Sequence, residues 1–273
     1  TDIGELTSTQ VGALATTQLA ALSATNVSAL DATQVGALST TQVRALTTTQ
    51  LGGLSTTDVG EMSSTQVGAL ATTQLAALST TNISALSTTQ LGALTPTQIS
   101  ALSATAVSGL DATQVGALTT TQIGGLTGTQ LRALSTTDFG ELSTTQLGAL
   151  TATQLSSLSA TNVSALDATT VGNLSTTQVR GLTTTQLAGL STTDIGELSS
   201  TQVGALAPTQ LAALSATNIS ALDATQVGAL STTQVRALTA DQMRGLSTTD
   251  IGELSSTQVG ALATTQVAAL SAT

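Results

Sequence analysis

The stretch Leu94-Thr95-Pro96-Thr97-Gln98-Ile99-Ser100-Ala101 decides how this chain folds. Proline has no N–H and a fixed φ, so it suits the first residue of a helix and disrupts a later one. With Pro96 at N1, Thr95 becomes the N-cap, Gln98 the third helical residue and Ile99 the fourth. Thr95 and Gln98 then form a capping box, and Leu94 meets Ile99 as a hydrophobic staple. Pro208 takes the same place in Leu206-Ala207-Pro208-Thr209-Gln210-Leu211.

Working outward, these eight residues are one copy of a repeat that fills the chain. From Leu6 to Ala269 the sequence divides into 33 octads without insertion or deletion, with partial octads at 1–5 and 270–273. Position 1 is Leu except at Met62, and position 4 is Thr except at Asp241. Position 5 is mostly Gln, and position 6 is Val, Leu or Ile apart from Phe139 and Met243. Positions 7 and 8 are small, with every Arg at 7 and every Glu at 8. The chain therefore reads as a single continuous repeat domain over residues 1–273, with no linker and no change of composition.

A longer period lies above the octad. The variant Ser-Thr-Thr-Asp-x-Gly-Glu recurs at Asp58, Asp138, Asp194 and Asp250, with Asp2 heading a partial copy. From Asp2 onward the successive intervals are seven, ten, seven and seven octads. Seven octads form a block, and one block carries three more, the pattern left by duplication.

One long helix fails as a template, because eight residues at 100° each leave the apolar stripe drifting by about 80° per repeat. A short helix restarted in every octad fits. Position 2 is Ser, Thr or Asp in 29 of the 33 full octads, the exceptions being Ala15, Ala71, Ala207 and Ala263. Frequent glycine at positions 7 and 8 suits a chain leaving its helix within two turns. Helices this short need stacking partners, so the fold class expected is all-α: a solenoid of very short capped helices, one per octad. Arg44 and Glu61, Arg180 and Glu197, and Arg236 and Glu253 are each separated by two octads and one residue, which suggests about two octads per coil. The alternative is a β-solenoid with 16-residue coils, since Thr and Val favour strands. Proline at position 3 and glutamate beside the inward leucine speak against it.

Composition narrows the function. There is no Cys, His, Lys, Trp or Tyr, and 15 acids face 5 arginines for a net charge of −10. Thiolate, imidazole and ordinary zinc chemistry are thereby removed. Few cations and no aromatic platforms argue against nucleic-acid binding. Mean hydropathy is +0.33, yet no apolar run approaches the roughly 18 residues of a membrane span. The expectation is a protein that is not an enzyme and uses no cofactor.

The sharpest candidates for a ligand site are the paired carboxylates Asp58/Glu61, Asp138/Glu141, Asp194/Glu197 and Asp250/Glu253, with Asp2/Glu5 as a fifth pair. Two carboxylates three apart on a helix could offer oxygens to calcium, which takes about 6–8 of them. The plainer reading, preferred here, makes each Asp a capping-box acid and leaves no metal site. Asp31, Asp111, Asp167 and Asp223 at position 2 read as strong N-caps. The threonines of position 4 offer either a regular hydroxyl and methyl array or local packing between coils, and packing is the reading preferred here.

The segment Leu94–Ile99 resembles the first helix start of transcription-activator-like effector repeats, which implies a helix start. The LSTTQVGA-type pattern, over the whole chain, resembles octapeptide arrays of large bacterial secreted and surface-attached proteins, including adhesins. That resemblance implies an exported, extracellular or cell-surface structural segment acting as spacer, scaffold or fibre. A further resemblance is to bacterial ice-nucleation proteins, whose octapeptides form 16-residue coils; it implies, as the alternative function, an ice- or surface-binding array of threonines. The ordinary pattern at Ile3 and Leu270 suggests self-association end to end, or continuation into a longer array.

Overall fold

A computed structural model of the chain describes residues 3–270. Among them are a short 3-10 turn, Ile3–Glu5, and 33 α-helices of four to six residues, one in each full octad. No strand occurs among the described residues. The all-helical solenoid is the architecture, and the β alternative is set aside.

The local reason is visible at Pro96–Ala101. Pro96 is the first residue of that helix, Thr95 lies in extended conformation before it, and the Thr95 hydroxyl accepts the Gln98 N–H at 3.2 Å. In return Gln98 Oε1 accepts the Thr95 N–H at 2.8 Å. Where position 2 is alanine, only the second half survives: the N–H groups of Ala15, Ala71, Ala207 and Ala263 donate to Gln18, Gln74, Gln210 and Gln266.

The exit from each helix differs from expectation. No described residue, glycine included, has a positive φ. The chain leaves through the next leucine, as at Leu102, whose N–H still donates to the Ile99 carbonyl while its own φ and ψ are −67° and 148°. An extended leucine stops the helix and at the same time serves as N′ of the following one. Glycine is needed for proximity instead: a Cβ on Gly125 would lie 2.7 Å from Cβ of Pro96, one coil earlier.

The coil holds three octads, not two. Within each unit helices pack on the third one along, as Ala32–Gly36 does on Ser8–Gly12 and Ala240–Gly245 on Ala216–Ser220. The arginine–glutamate spacing misled because it spans two octads and so joins different columns. Arg44 instead gives its Nε–H to the Ala69 carbonyl at 2.7 Å. The one ion pair among the described residues is Arg244 with Asp241.

The chain forms two compact units, Thr1–Ala149 and Leu150–Thr273. Within each, the leucines of position 1 and the aliphatic residues of position 6 fill the interior: Leu86, Leu91, Ile99 and Leu102 in the first, Val203, Leu206, Leu211 and Leu214 in the second, all at most 4% exposed. Each fully buried side chain of this kind contributes about 1.5–3 kcal/mol. The position-4 threonines point outward and are exposed in every octad that has one, from Thr9 to Thr265. That overturns the packing role expected for them. Among the described residues no helix is long and apolar enough to cross a membrane.

Candidate functional site

Position 5 performs two tasks at once. In Gln66, Oε1 accepts the Ser63 N–H at 2.8 Å, closing the capping box. Its Nε2 crosses to the preceding coil and donates to the carbonyls of Val35 and Leu38, 31 and 28 residues back. The same bridge runs from Gln122 to Leu91 and Leu94, and from Gln202 to Val171 and Leu174. These amides are buried; they pair the carbonyls of Leu38, Leu94 and Leu174, and add a second donor to those of Val35, Leu91 and Val171, which already accept the N–H of the next leucine.

Aspartate at position 5 can close the capping box but has no hydrogen to send backward. Asp58 accepts the Ser55 N–H at 2.7 Å, and the residue waiting in the coil below is Ser28, whose hydroxyl donates to Asp58 Oδ2. The arrangement recurs: Ser108 to Asp138 at 2.7 Å, Ser164 to Asp194 at 2.7 Å, Ser220 to Asp250 at 2.6 Å. Each serine stands 30 residues before its aspartate. The capping role expected for these four aspartates is what the structure shows, and Asp31, Asp111, Asp167 and Asp223 are N-caps as expected.

The glutamates are placed less comfortably. In Glu61, Glu141, Glu197 and Glu253, Oε2 is buried and receives no hydrogen bond from the protein. Burial, then the charges of Asp58 and Asp31, push the Glu61 carboxyl above its usual range. For Glu197 the causes are burial, Asp194 and Asp167, in that order. Burial also acts on Asp138 and Asp250, but there the hydrogen bonds outweigh it: Ser108 and Ser135 hold the first low, Ser220 and Ser247 the second. Hydrogen bonds from Thr170 hold Asp167 low as well.

Each set therefore joins an N-cap Asp, a capping-box Asp with its serine, and a glutamate. Asp58 and Asp31 are brought near Glu61, yet no three acidic side chains among the described residues come together as metal ligands would. The capping-box aspartates already accept from backbone and serine donors. Asp2 lies outside the described residues, and Glu5 ends the exposed 3-10 turn. What the sequence reading missed is the serine one coil before each Asp and the N-cap Asp one coil before each Glu. Both spacings stand in the sequence and could have been found by comparing residues one coil apart.

A column of capped octads stacked through glutamine amides defines a tandem-repeat helical solenoid protein. The chain belongs to the ALTTAQ repeat family, whose model matches residues 11–48, 37–72, 67–104, 171–208, 203–240 and 240–272. No curated protein gives a significant match.

Proposed function

We propose that this structural repeat protein works as an exported spacer or scaffold, an extracellular or cell-surface segment of a bacterial protein that separates or displays whatever it is joined to. The observation that carries the reading is the regular coil: within each unit helices pack on the third before and after them, and wherever position 5 is glutamine in a stacked coil the amide bridge recurs, as at Gln66 and Gln202. In such an array stability comes from nearest neighbours, so repeats can be added without redesign. The outward positions bear small hydroxyl, methyl and acidic groups. This suits a surface that keeps its length without seizing a particular ligand.

Pulling single molecules tests it. A spacer of this kind unfolds in many small equal steps, each releasing one coil of three octads. The released chain extends by about 3.3–3.6 Å per residue, which sets the expected step. One all-or-none event for a whole unit would refute the reading. Fractionating cells that make the protein tests the compartment: protein at the surface or in the medium supports export, and protein confined to the interior refutes it. Self-association of copies belongs to the same proposal; a sedimentation coefficient independent of concentration would count against it.

A second reading is favoured by one observation, the outward threonine in every octad that has one. A regular display of hydroxyl and methyl groups suits an ordered water surface such as ice. Inhibition of ice recrystallisation by the folded protein, lost when Thr113, Thr121 and Thr137 are changed to Lys, would support it. A folded protein with no such activity would remove it.

A further inference from the structure

The amide bridge holds coils together but carries no information about coil length. Of the 33 full octads 23 offer the same glutamine and all but one the same leucine carbonyl, so a coil with one octad missing or looped out would find similar partners at most positions. Two kinds of residue break this equivalence. The first is the serine–aspartate pair at 30-residue spacing: Ser28–Asp58, Ser108–Asp138, Ser164–Asp194 and Ser220–Asp250. The second is glycine set against a bulkier residue of the coil before: Gly53 on Ala24, Gly125 on Pro96, Gly181 on Ala152 and Gly245 on Ala216. At each of these four, a Cβ would come within 2.6–2.8 Å of the facing residue.

We propose that these sparse pairs are register marks, which commit an otherwise degenerate repeat to three octads per coil. A coil one octad short would set the four aspartates against Gly36, Gly116, Gly172 and Gly228, which offer no side-chain donor. A coil one octad long would set them against Ala20, Ser100, Ser156 and Ala212, so two of the four would also lose their donor. A buried or half-buried carboxylate left with its local backbone donor alone is less well satisfied than one that also accepts a hydroxyl. The glycine marks act by shape: a short coil would place Ala117 over Pro96, and a long one would place Ala133 there. The one irregular block fits the same rule. It exceeds the others by three octads, one complete coil, and the extra length falls outside every serine–aspartate pair.

The test uses the full chain, which has no cysteine of its own. Spin labels on Thr17→Cys and Thr65→Cys, both exposed, lie two coils apart on one column and flank the first pair. With Ser28 and Asp58 in place, refolded protein should give one narrow label-to-label distance by pulsed electron resonance. With Asp58→Gln and Ser28→Gly, residues common at these positions, a second distance should appear while the helical spectrum is kept. Asp58→Gln alone repeats an arrangement the chain already has at Ser84 and Gln114. It therefore keeps native contacts in the three-octad coil and should show the second distance too. A single unchanged distance in both variants after refolding would overturn the proposal.

Discussion

Asn82 reaches the carbonyl of Leu54, 28 residues before it, with its Nδ2 at 2.9 Å, but its oxygen does not close the capping box on Ser79. Glutamine, one methylene longer, does both. At Asn82 the bridge to the earlier coil is kept where the cap is half lost, the converse of Asp58, which closes the cap and gives up the bridge, so the two duties of position 5 are separable.

Removing the bridge should be costly. Gln66→Ala leaves the Ser63 N–H and the Leu38 carbonyl unpaired, while the Val35 carbonyl keeps the Leu38 N–H. We expect a loss of about 3 kcal/mol, from about 1–3 kcal/mol per buried group left unpaired. Native-state hydrogen exchange should locate it to the coils on either side of Gln66. Thr65 beside it is exposed. Thr65→Ala should shift stability by no more than about 0.5 kcal/mol, as surface substitutions do.

The serine–aspartate pair makes a double-mutant cycle. Ser28→Ala strips Asp58 of its hydroxyl donor. Urea unfolding should register a loss of about 1–3 kcal/mol, the penalty for an unsatisfied buried acceptor. Adding Asp58→Gln should recover most of it, because glutamine brings its own hydrogens. A loss in the double variant equal to the sum of the Ser28→Ala and Asp58→Gln losses would show that the two residues are not coupled.

Stability should change with pH in two opposed stages. Glu61 and Glu197 have carboxyl groups lifted above the ordinary value by burial and by nearby aspartates. Between that raised value and the unfolded one of about 4.3, the folded chain binds more protons, so acidification from neutrality should raise the melting temperature. Asp138 and Asp250 are held low by serine hydrogen bonds that offset their burial. Their contribution is present above about pH 3.9 and is lost as pH falls through the folded value, so melting temperature should fall again at the acid end. Glu61→Gln with Glu197→Gln should raise stability at neutral pH and flatten the first stage only, leaving the second unchanged.

Two glycines in neighbouring octads should respond with opposite signs. Gly116→Ala places its methyl in open space inside the helix Ala112–Ala117. It should stabilise by about 0.5–1 kcal/mol through helix propensity. Gly125→Ala drives a methyl to within 2.7–2.8 Å of Pro96. It should destabilise by about 1–3 kcal/mol, as overpacking does. Thermal unfolding of the two variants side by side checks both.

Much of this was readable in the residues. Pro96 and Pro208 placed every helix start, and the recurrent Ser/Thr-x-x-Gln placed every cap, because both are local devices whose physics involves only four residues. The coil length was not local. Charge spacing pointed to two octads since Arg44 and Glu61 look like partners, whereas Arg44 in fact serves a backbone carbonyl and Glu61 lies beside other acids. The informative spacings join Ser28 to Asp58 and Pro96 to Gly125, and neither pair advertises itself as charge would. Glycine misled for a related reason: its usual signature is a left-handed turn, and here its value is the absence of bulk.

Because the glutamine amides that bridge coils, from Gln34 to Gln266, donate backward along the chain, the two sides of a coil are chemically unlike. One side presents hydrogens and the other presents lone pairs, at every layer of both units. Coils can therefore add to one another in a single sense, as arrows laid tip to tail, and a coil turned over would bring amide against amide. The repeat carries a built-in vector that survives changes in almost every outward residue.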